Sequence, residues 1–315
     1  MTLFVENTTL DNDNSMSTCY NIKCSMIKND PRFHFYNITS KEKIDIASYQ
    51  TVIFGCRSLY LYKRYIGQIK KSIMEKNKML CQISHKYFII QDMHHKTYGN
   101  IDVLCSFIRN NNINIIFTFY NNAEAKAIRN RTPNVKHLYL PHHIDTSIFH
   151  FTNEPKQYDI LLFGSVHPKH YPFRKRLFEL ILKNKDKFNI RYIEHPSKFD
   201  PNVCEGGLAK LINMSKICIA TKSRYDYLVG KYFEIAMCKS LIAGDIPTDG
   251  MSMFKGKIVE LYEKMSDTEI IENLGNAIQN YDLYVGKIDE LHQLVNFNYG
   301  LGGYVEKLKE MVTLV

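Results

Sequence analysis

The chain has 315 residues, 45% hydrophobic and 23% charged, enough for two ordinary globular domains. No apolar run reaches the ~18 residues of a membrane span. The net charge of +9 favours anionic partners. It is spread along the chain, however, and its densest run, KRYIGQIKKSIMEKNK, reads as the solvated face of a helix. With no RNA-binding aromatic signature and no zinc-finger spacing, a nucleic-acid partner is not expected. Peripheral contact with an anionic membrane stays open.

The eight cysteines form no C-x-x-C pair, which argues against a zinc ribbon or a thioredoxin-type site. Several sit in apolar runs such as KICIA and read as small buried hydrophobes of a reducing compartment. The start, MTLFVENTTLDNDNSMS, has neither the basic beginning nor the apolar core of a secretory signal, so a cytoplasmic protein is expected.

Residues 1 to about 50 carry no clear pattern, and LDNDNSMST reads as loop. Strands and helices then alternate. TVIFG is a strand ending in Gly55, and a helical pattern runs from about Leu59 to Lys78. KYFIIQ is a strand, and GNIDVLCSFIRNN is a helix with Ile101, Leu104, Cys105 and Ile108 on one face. INIIFTF is an apolar strand, NAEAKAIRN a short helix, and VKHLYLP closes this half. PHHIDTSIFHFTNEPKQ breaks the alternation and reads as an interdomain connection.

The pattern resumes with the strand YDILLFG, the helix FRKRLFELILKNKDK and the strand NIRYIEH. The helix GGLAKLINM, the strand KICIAT, the segment DYLVGKYFEIAMCKS and the strand LIAGD follow. KIVELY is a further strand. SDTEIIENLGNAIQNY opens with a capping box of Ser266 and Glu269, and two more helices end the chain. Continuous apolar strands between helices indicate parallel sheets covered on both faces. The expectation is an α/β chain of two Rossmann-like domains facing across a cleft. Residues 1–150 form the first domain and 151–315 the second.

Ligands of such sheets bind beyond the carboxyl ends of the strands. FGSVHPKHYPFR is not a G-x-G-x-x-G dinucleotide fingerprint, and no P-loop occurs. A nucleotide-diphosphate sugar fits the residues better. A pyrophosphate needs backbone N–H groups and cations, and a ribose diol needs a carboxylate. Gly230 precedes the helix that carries Glu234, and a phosphate could approach there. Glu234 lies one turn in, at the edge of the face formed by Phe233, Ala236 and Met237. Asp226, in the preceding loop, is placed to meet sugar hydroxyls. Arg174 is the first choice for the diphosphate because a guanidinium binds phosphate bidentately; Lys222 and Lys231 follow as point charges. Gly164 and Ser165 end a strand where a phosphate or sugar approaches, and Tyr232 is packing or lines the site.

Each assignment has a plainer counterpart. Glu234 alone would be an exposed helix acid favoured by the dipole. Asp226 would be a loop acid, Gly164 a strand terminator and Arg174 a surface charge. His94 and His95 in QDMHH follow a first-domain strand and are candidates for a general base or a sugar contact, or ordinary loop histidines. His142 and His143 form a pair, but no carboxylate spacing completes a metal site. Gly55 would leave room for an acceptor.

This stretch resembles the donor-binding segment of GT-B glycosyltransferases, closest to family 4 and the CgeB-like group. The E-x7-E motif of family 4 is matched by Asp226, seven residues and Glu234. EIAMCKSLIAGDIP resembles the family's E-A-M-A-C-G-x-L-V run, YLPHHIDTSIF its interdomain P-x-G-x-D-x-x-x-F, and YDILLFGSVHPKHYPFR its glycine-ended first donor strand. The likeness covers roughly residues 135 to 260. It implies that Glu234 holds the ribose and that Asp226 contacts the transferred sugar. The donor would be a nucleotide-diphosphate sugar, with no separate cofactor and no metal. The acceptor, whether glycan, lipid or protein, is not read. Two departures stand out: the first acid is Asp rather than Glu, and Tyr227 stands where the family has glycine. A GT-B epimerase and a non-catalytic nucleotide-sugar-binding protein remain as alternatives.

Overall fold

A computed structural model describes residues 1–6, 30–55, 58, 68–90, 100–194 and 207–313. The chain divides into two compact units, Met1–Pro141 and His142–Val315.

The first unit is built on six parallel strands. They are β1 (Thr2–Glu6), β2 (Phe33–Asn37), β3 (Thr51–Phe54), β4 (His85–Ile90), β5 (Ile115–Thr118) and β6 (Lys136–Tyr139), in the order β2-β1-β3-β4-β5-β6. Helices α1 (Gln68–Leu80), α2 (Ile101–Asn110) and α3 (Ala123–Arg131) connect them. Asn100 and Asn122 cap α2 and α3 through their side-chain oxygens, at 3.0 Å from Val103 N and from Ala125 N.

Two strands in this unit were not expected. TLFVE buries Leu3, Phe4 and Val5 in the middle of the sheet, and FHFYN forms its edge. They flank a polar stretch with no helical pattern between them, and FHFYN mixes His34 and Asn37 with its aromatics, so neither stands out as part of a strand–helix alternation. The helix expected from Leu59 begins among the described residues at Gln68.

The second unit has five parallel strands. They are β7 (Tyr158–Leu162), β8 (Ile190–Tyr192), β9 (Ser215–Ile219), β10 (Leu241–Gly244) and β11 (Val259–Glu260), in the order β11-β10-β9-β7-β8. The helices are α4 (Pro172–Lys183), α5 (Gly207–Asn213), α6 (Lys231–Met237), α7 (Met251–Phe254), α8 (Asp267–Gln279), α9 (Val285–Tyr299) and α10 (Leu301–Thr313). Ser266 and Glu269 form the expected capping box at α8. One core runs under the sheet, from Ile160, Leu162, Ile217 and Leu241 to Leu177, Ile181, Ile270 and Leu274. Cys218 and Cys238 are wholly buried within this unit, as the apolar runs around them suggest.

The strand order sets where a ligand can sit. β7 pairs with β8 on one side and β9 on the other, so the chain reverses direction across β7. In such sheets the crevice opens beyond the carboxyl ends of the two strands flanking the reversal. Here those ends are Phe163–Ser165 after β7 and Ala220–Lys222 after β9.

Candidate functional site

The residues expected in the donor site converge on that edge of the second sheet. Gly164 leaves β7 with φ +88°, and a side chain there would run into the ammonium of Lys231. Lys231 is buried at the start of α6 and donates to the carbonyl of Phe163. Its ammonium also lies 3.8 Å from the centre of the Phe163 ring. Burial first, then the nearby Arg174, holds its pKa well below the usual lysine value, while Glu234 acts in the opposite direction.

Arg174 is not a surface charge. It is 3% exposed and bridges the two strand ends at the reversal. Its Nη1 donates to the Ser165 carbonyl at 3.1 Å. Nη2 donates to the Thr221 carbonyl at 2.7 Å, and Nε to the Thr221 hydroxyl at 3.1 Å. Its guanidinium also stacks 3.9 Å from the Tyr171 ring centre. Arg174 thus clamps the two loops together and brings a desolvated positive charge to the crevice.

Glu234 is half-buried in the first turn of α6, with Phe233, Ala236 and Met237 packed in the core as expected. Burial lifts its pKa to about 7 against the opposing pull of Lys231 and Arg174. Among the described residues nothing donates a hydrogen bond to its carboxylate. Gly230 takes an ordinary right-handed helical φ of −52°. A Cβ there would sit 3.6 Å from Glu234 Oε1. That is an ordinary van der Waals contact, so neither the backbone nor the space at this position demands glycine.

Asp226 adopts φ +60°, a conformation that asparagine and aspartate tolerate better than most residues. Its carboxylate accepts from Lys222 Nζ at 2.9 Å and from Thr248 N at 3.2 Å. Those bonds tie the β9 and β10 loops together. Lys222 is the partner in that pair and also donates its backbone N–H to Asp245 Oδ1 at 3.0 Å. Tyr232 is a core side chain whose hydroxyl donates to the Asp245 carbonyl at 2.5 Å.

Asp245 was missed by the sequence reading. It is 8% exposed at the carboxyl end of β10, and burial raises its pKa to about 6. The signal was present, since LIAGDIP places an acid directly after an apolar strand, where parallel sheets put their ligands. His94 and His95 lie outside the described residues. His143 is buried, with its ring 6.2 Å from Tyr299, which in turn packs at 4.6 Å on Phe233. The space expected at Gly55 is taken, because a side chain there would overlap the carboxylate of Glu6.

Buried acids with raised pKa values thus face buried cations with lowered ones, at the reversal point of a parallel sheet. Solved structures with the same chain path exist. The Anabaena protein HepE, crystallised with UDP and glucose, aligns over 100% of this chain and 99% of its own, with a TM-score of 0.62 at 7% identity. The fold is of GT-B type. Sucrose-phosphate synthase from Thermosynechococcus elongatus aligns over 99% of this chain and 98% of its own, with a TM-score of 0.61 at 8% identity. An alpha-glucosyltransferase, crystallised with UDP-glucose and DNA containing an abasic site, gives the same TM-score and coverage at 9% identity. No protein-family model matches the GT-B chain described here, and no curated protein sequence does either. Among its described residues, no helix is long and apolar enough to cross a membrane.

Proposed function

We propose that this protein is a glycosyltransferase that takes a sugar from a nucleotide-diphosphate sugar bound by the second unit. The observation that carries the reading is Glu234: a half-buried carboxylate without a hydrogen-bond donor among the described residues, flanked by the buried cations Lys231 and Arg174. A ribose diol supplies two donors to such a carboxylate, and a diphosphate supplies the charge that the cations lack. HepE and the alpha-glucosyltransferase, whose crystals hold UDP or UDP-glucose, support the same class of ligand.

In this reading Lys231, whose ammonium fills the space beside Gly164, turns from the Phe163 carbonyl to the phosphate oxygens. Arg174 keeps its bonds to Ser165 and Thr221, holding both loops in place while its charge stabilises the leaving group. During transfer the anomeric C–O bond to the diphosphate breaks, and the diphosphate departs with the electron pair. The acceptor oxygen forms the new bond and loses its proton. Positioning and charge stabilisation, rather than covalent help, would supply the acceleration. Fixed cations suit a metal-independent reaction. Whether glycan, lipid or protein, the acceptor is left to the first unit.

One observation favours a second reading, a nucleotide-sugar-binding protein that does not transfer. The Asp226 carboxylate is already engaged by Lys222 and Thr248. It must give up a partner to reach a sugar. The test is calorimetry and thermal shift with UDP-, GDP-, ADP- and dTDP-sugars on the parent and Glu234→Ala, followed by assay of nucleoside diphosphate release. Selective binding of one nucleotide, lost in the variant, is expected. Binding without release would favour the second reading, and no binding at all would refute both.

A further inference from the structure

The first unit contains a cavity of about 660 Å³ between the loop after β2 and helix α1, remote in sequence from every residue of the donor reading. That size suits a small organic ligand. Among the described residues its lining combines the Tyr36 ring, Ile44, Ile73 and Met79 with the lysines Lys41, Lys43 and Lys76, the acid Glu42 and the small polar residues Thr39, Ser40 and Ser72. Lys76 is half-buried. Its ammonium donates to the carbonyl of Ile38 at 3.0 Å and to the carbonyl of Ser40. Lysine has three donors, so among the described residues one is left for a ligand. The loop is built rather than loose. Asn37 Oδ1 accepts from Thr39 Oγ1 at 2.8 Å, Ser40 Oγ accepts from Glu42 N at 3.0 Å, and the Tyr36 hydroxyl reaches the Glu42 carbonyl at 3.2 Å.

We infer that this cavity binds a phosphate ester carried on an apolar chain, with the chain against Tyr36, Ile44, Ile73 and Met79 and the phosphate between Lys41, Lys43 and Lys76. An apolar wall alone would select no anion, and lysines alone would make no cavity. Their juxtaposition specifies both halves of the ligand. The site does not depend on what the second unit binds, because its occupancy is read without any nucleotide present. Glu42 opposes the phosphate, so Glu42→Gln should tighten binding.

The phosphate ester could come from a free single-chain molecule or from a lipid bilayer, and the probes separate these. n-Decyl phosphate below its aggregation concentration, inorganic phosphate, decanol, and phosphatidylcholine vesicles with and without phosphatidic acid are titrated against the full chain. One-site saturable binding of decyl phosphate, or binding to the phosphatidic acid vesicles only, is expected. Lys41→Ala/Lys43→Ala should weaken it by about tenfold or more, the scale of one charge-assisted hydrogen bond at least. Both lysines are exposed, so that variant keeps its fold. Ser72→Phe, at the exposed lip of α1, should block entry while leaving every charge in place. The inference is overturned if no probe binds, if decanol binds as well as decyl phosphate, or if binding survives both variants.

Discussion

At the scale of single residues, the ionisable groups at the edge of the second sheet make the clearest predictions. Burial lifts the Glu234 pKa to about 7 in the empty site. In the donor reading its carboxylate accepts from the ribose diol, and hydrogen bonds to the charged form lower that value. The Glu234-dependent part of nucleotide-sugar binding should therefore release a proton and favour pH 8 over pH 6. Calorimetry in buffers of different ionisation enthalpy should show this release as the difference between the parent and Glu234→Gln. A difference of the opposite sign would contradict the arrangement. Asp245 offers a stability test. Its folded pKa, about 6, lies above the ordinary carboxylate value, so the folded state holds more protons between pH ~4 and ~6. Stability from this group is present below that window and is lost as pH rises through it. Asp245→Asn removes the titration but keeps the oxygen that accepts from Lys222 N. Its stability relative to the parent should improve with rising pH by on the order of 2–3 kcal/mol, flattening above about pH 6. A pH-independent difference in chemical denaturation would sink this account.

At the scale of elements, the two strand ends and the loops after them depend on a few irreplaceable contacts. Arg174→Met would leave the carbonyls of Ser165 and Thr221 and the Thr221 hydroxyl without their buried donor. The expected cost is about 3 kcal/mol or more, read as a fall in the denaturation midpoint, with nucleotide-sugar binding lost as well. A variant that stays fully stable but loses binding would make Arg174 a ligand contact only. At the other side of the edge, Gly244 leaves β10 with φ +154°, and a side chain there would collide with the Ala220 carbonyl oxygen at the end of β9. Backbone sits where the methyl would go, so Gly244→Ala has no side chain to push aside. It should fail to fold or lose several kcal/mol in thermal unfolding. The helices were legible in the sequence because each repeats its period often enough, and the strands between them as apolar runs bounded by those helices. Ile101, Leu104, Cys105 and Ile108 mark α2, and Ser266 with Glu269 marks the start of α8. β1 and β2 were not legible, since TLFVE runs into a polar stretch with no helical pattern after it and FHFYN carries His34 and Asn37 among its aromatics, so the strand–helix alternation that marked shorter strands is missing.

At the scale of the whole molecule, each unit has its own parallel sheet and buried core, so the second should stand alone. A fragment of residues 142–315 should give a cooperative thermal transition and bind the same nucleotide sugar as the full chain. An unfolded fragment would show that its stability is borrowed from residues 1–141. The sequence by itself determined the alternation of strands and helices, and hence parallel sheets, because apolar runs and amphipathic periods are local properties of the chain. It also located Asp226 and Glu234, since spacing along one helix and its preceding loop is local as well. Tertiary structure alone decided what those residues do. It turned Arg174 from a helix charge into a clamp on Ser165 and Thr221, engaged Asp226 with Lys222 and Thr248, buried Tyr232 against Asp245, and added Asp245 to the site. Arg174 and Thr221, Asp226 and Thr248, and Tyr232 and Asp245, 13 to 47 residues apart, meet only when the strand order brings their ends together, and burial, which moves the pKa values of Glu234, Lys231 and Asp245, exists only in the packed fold.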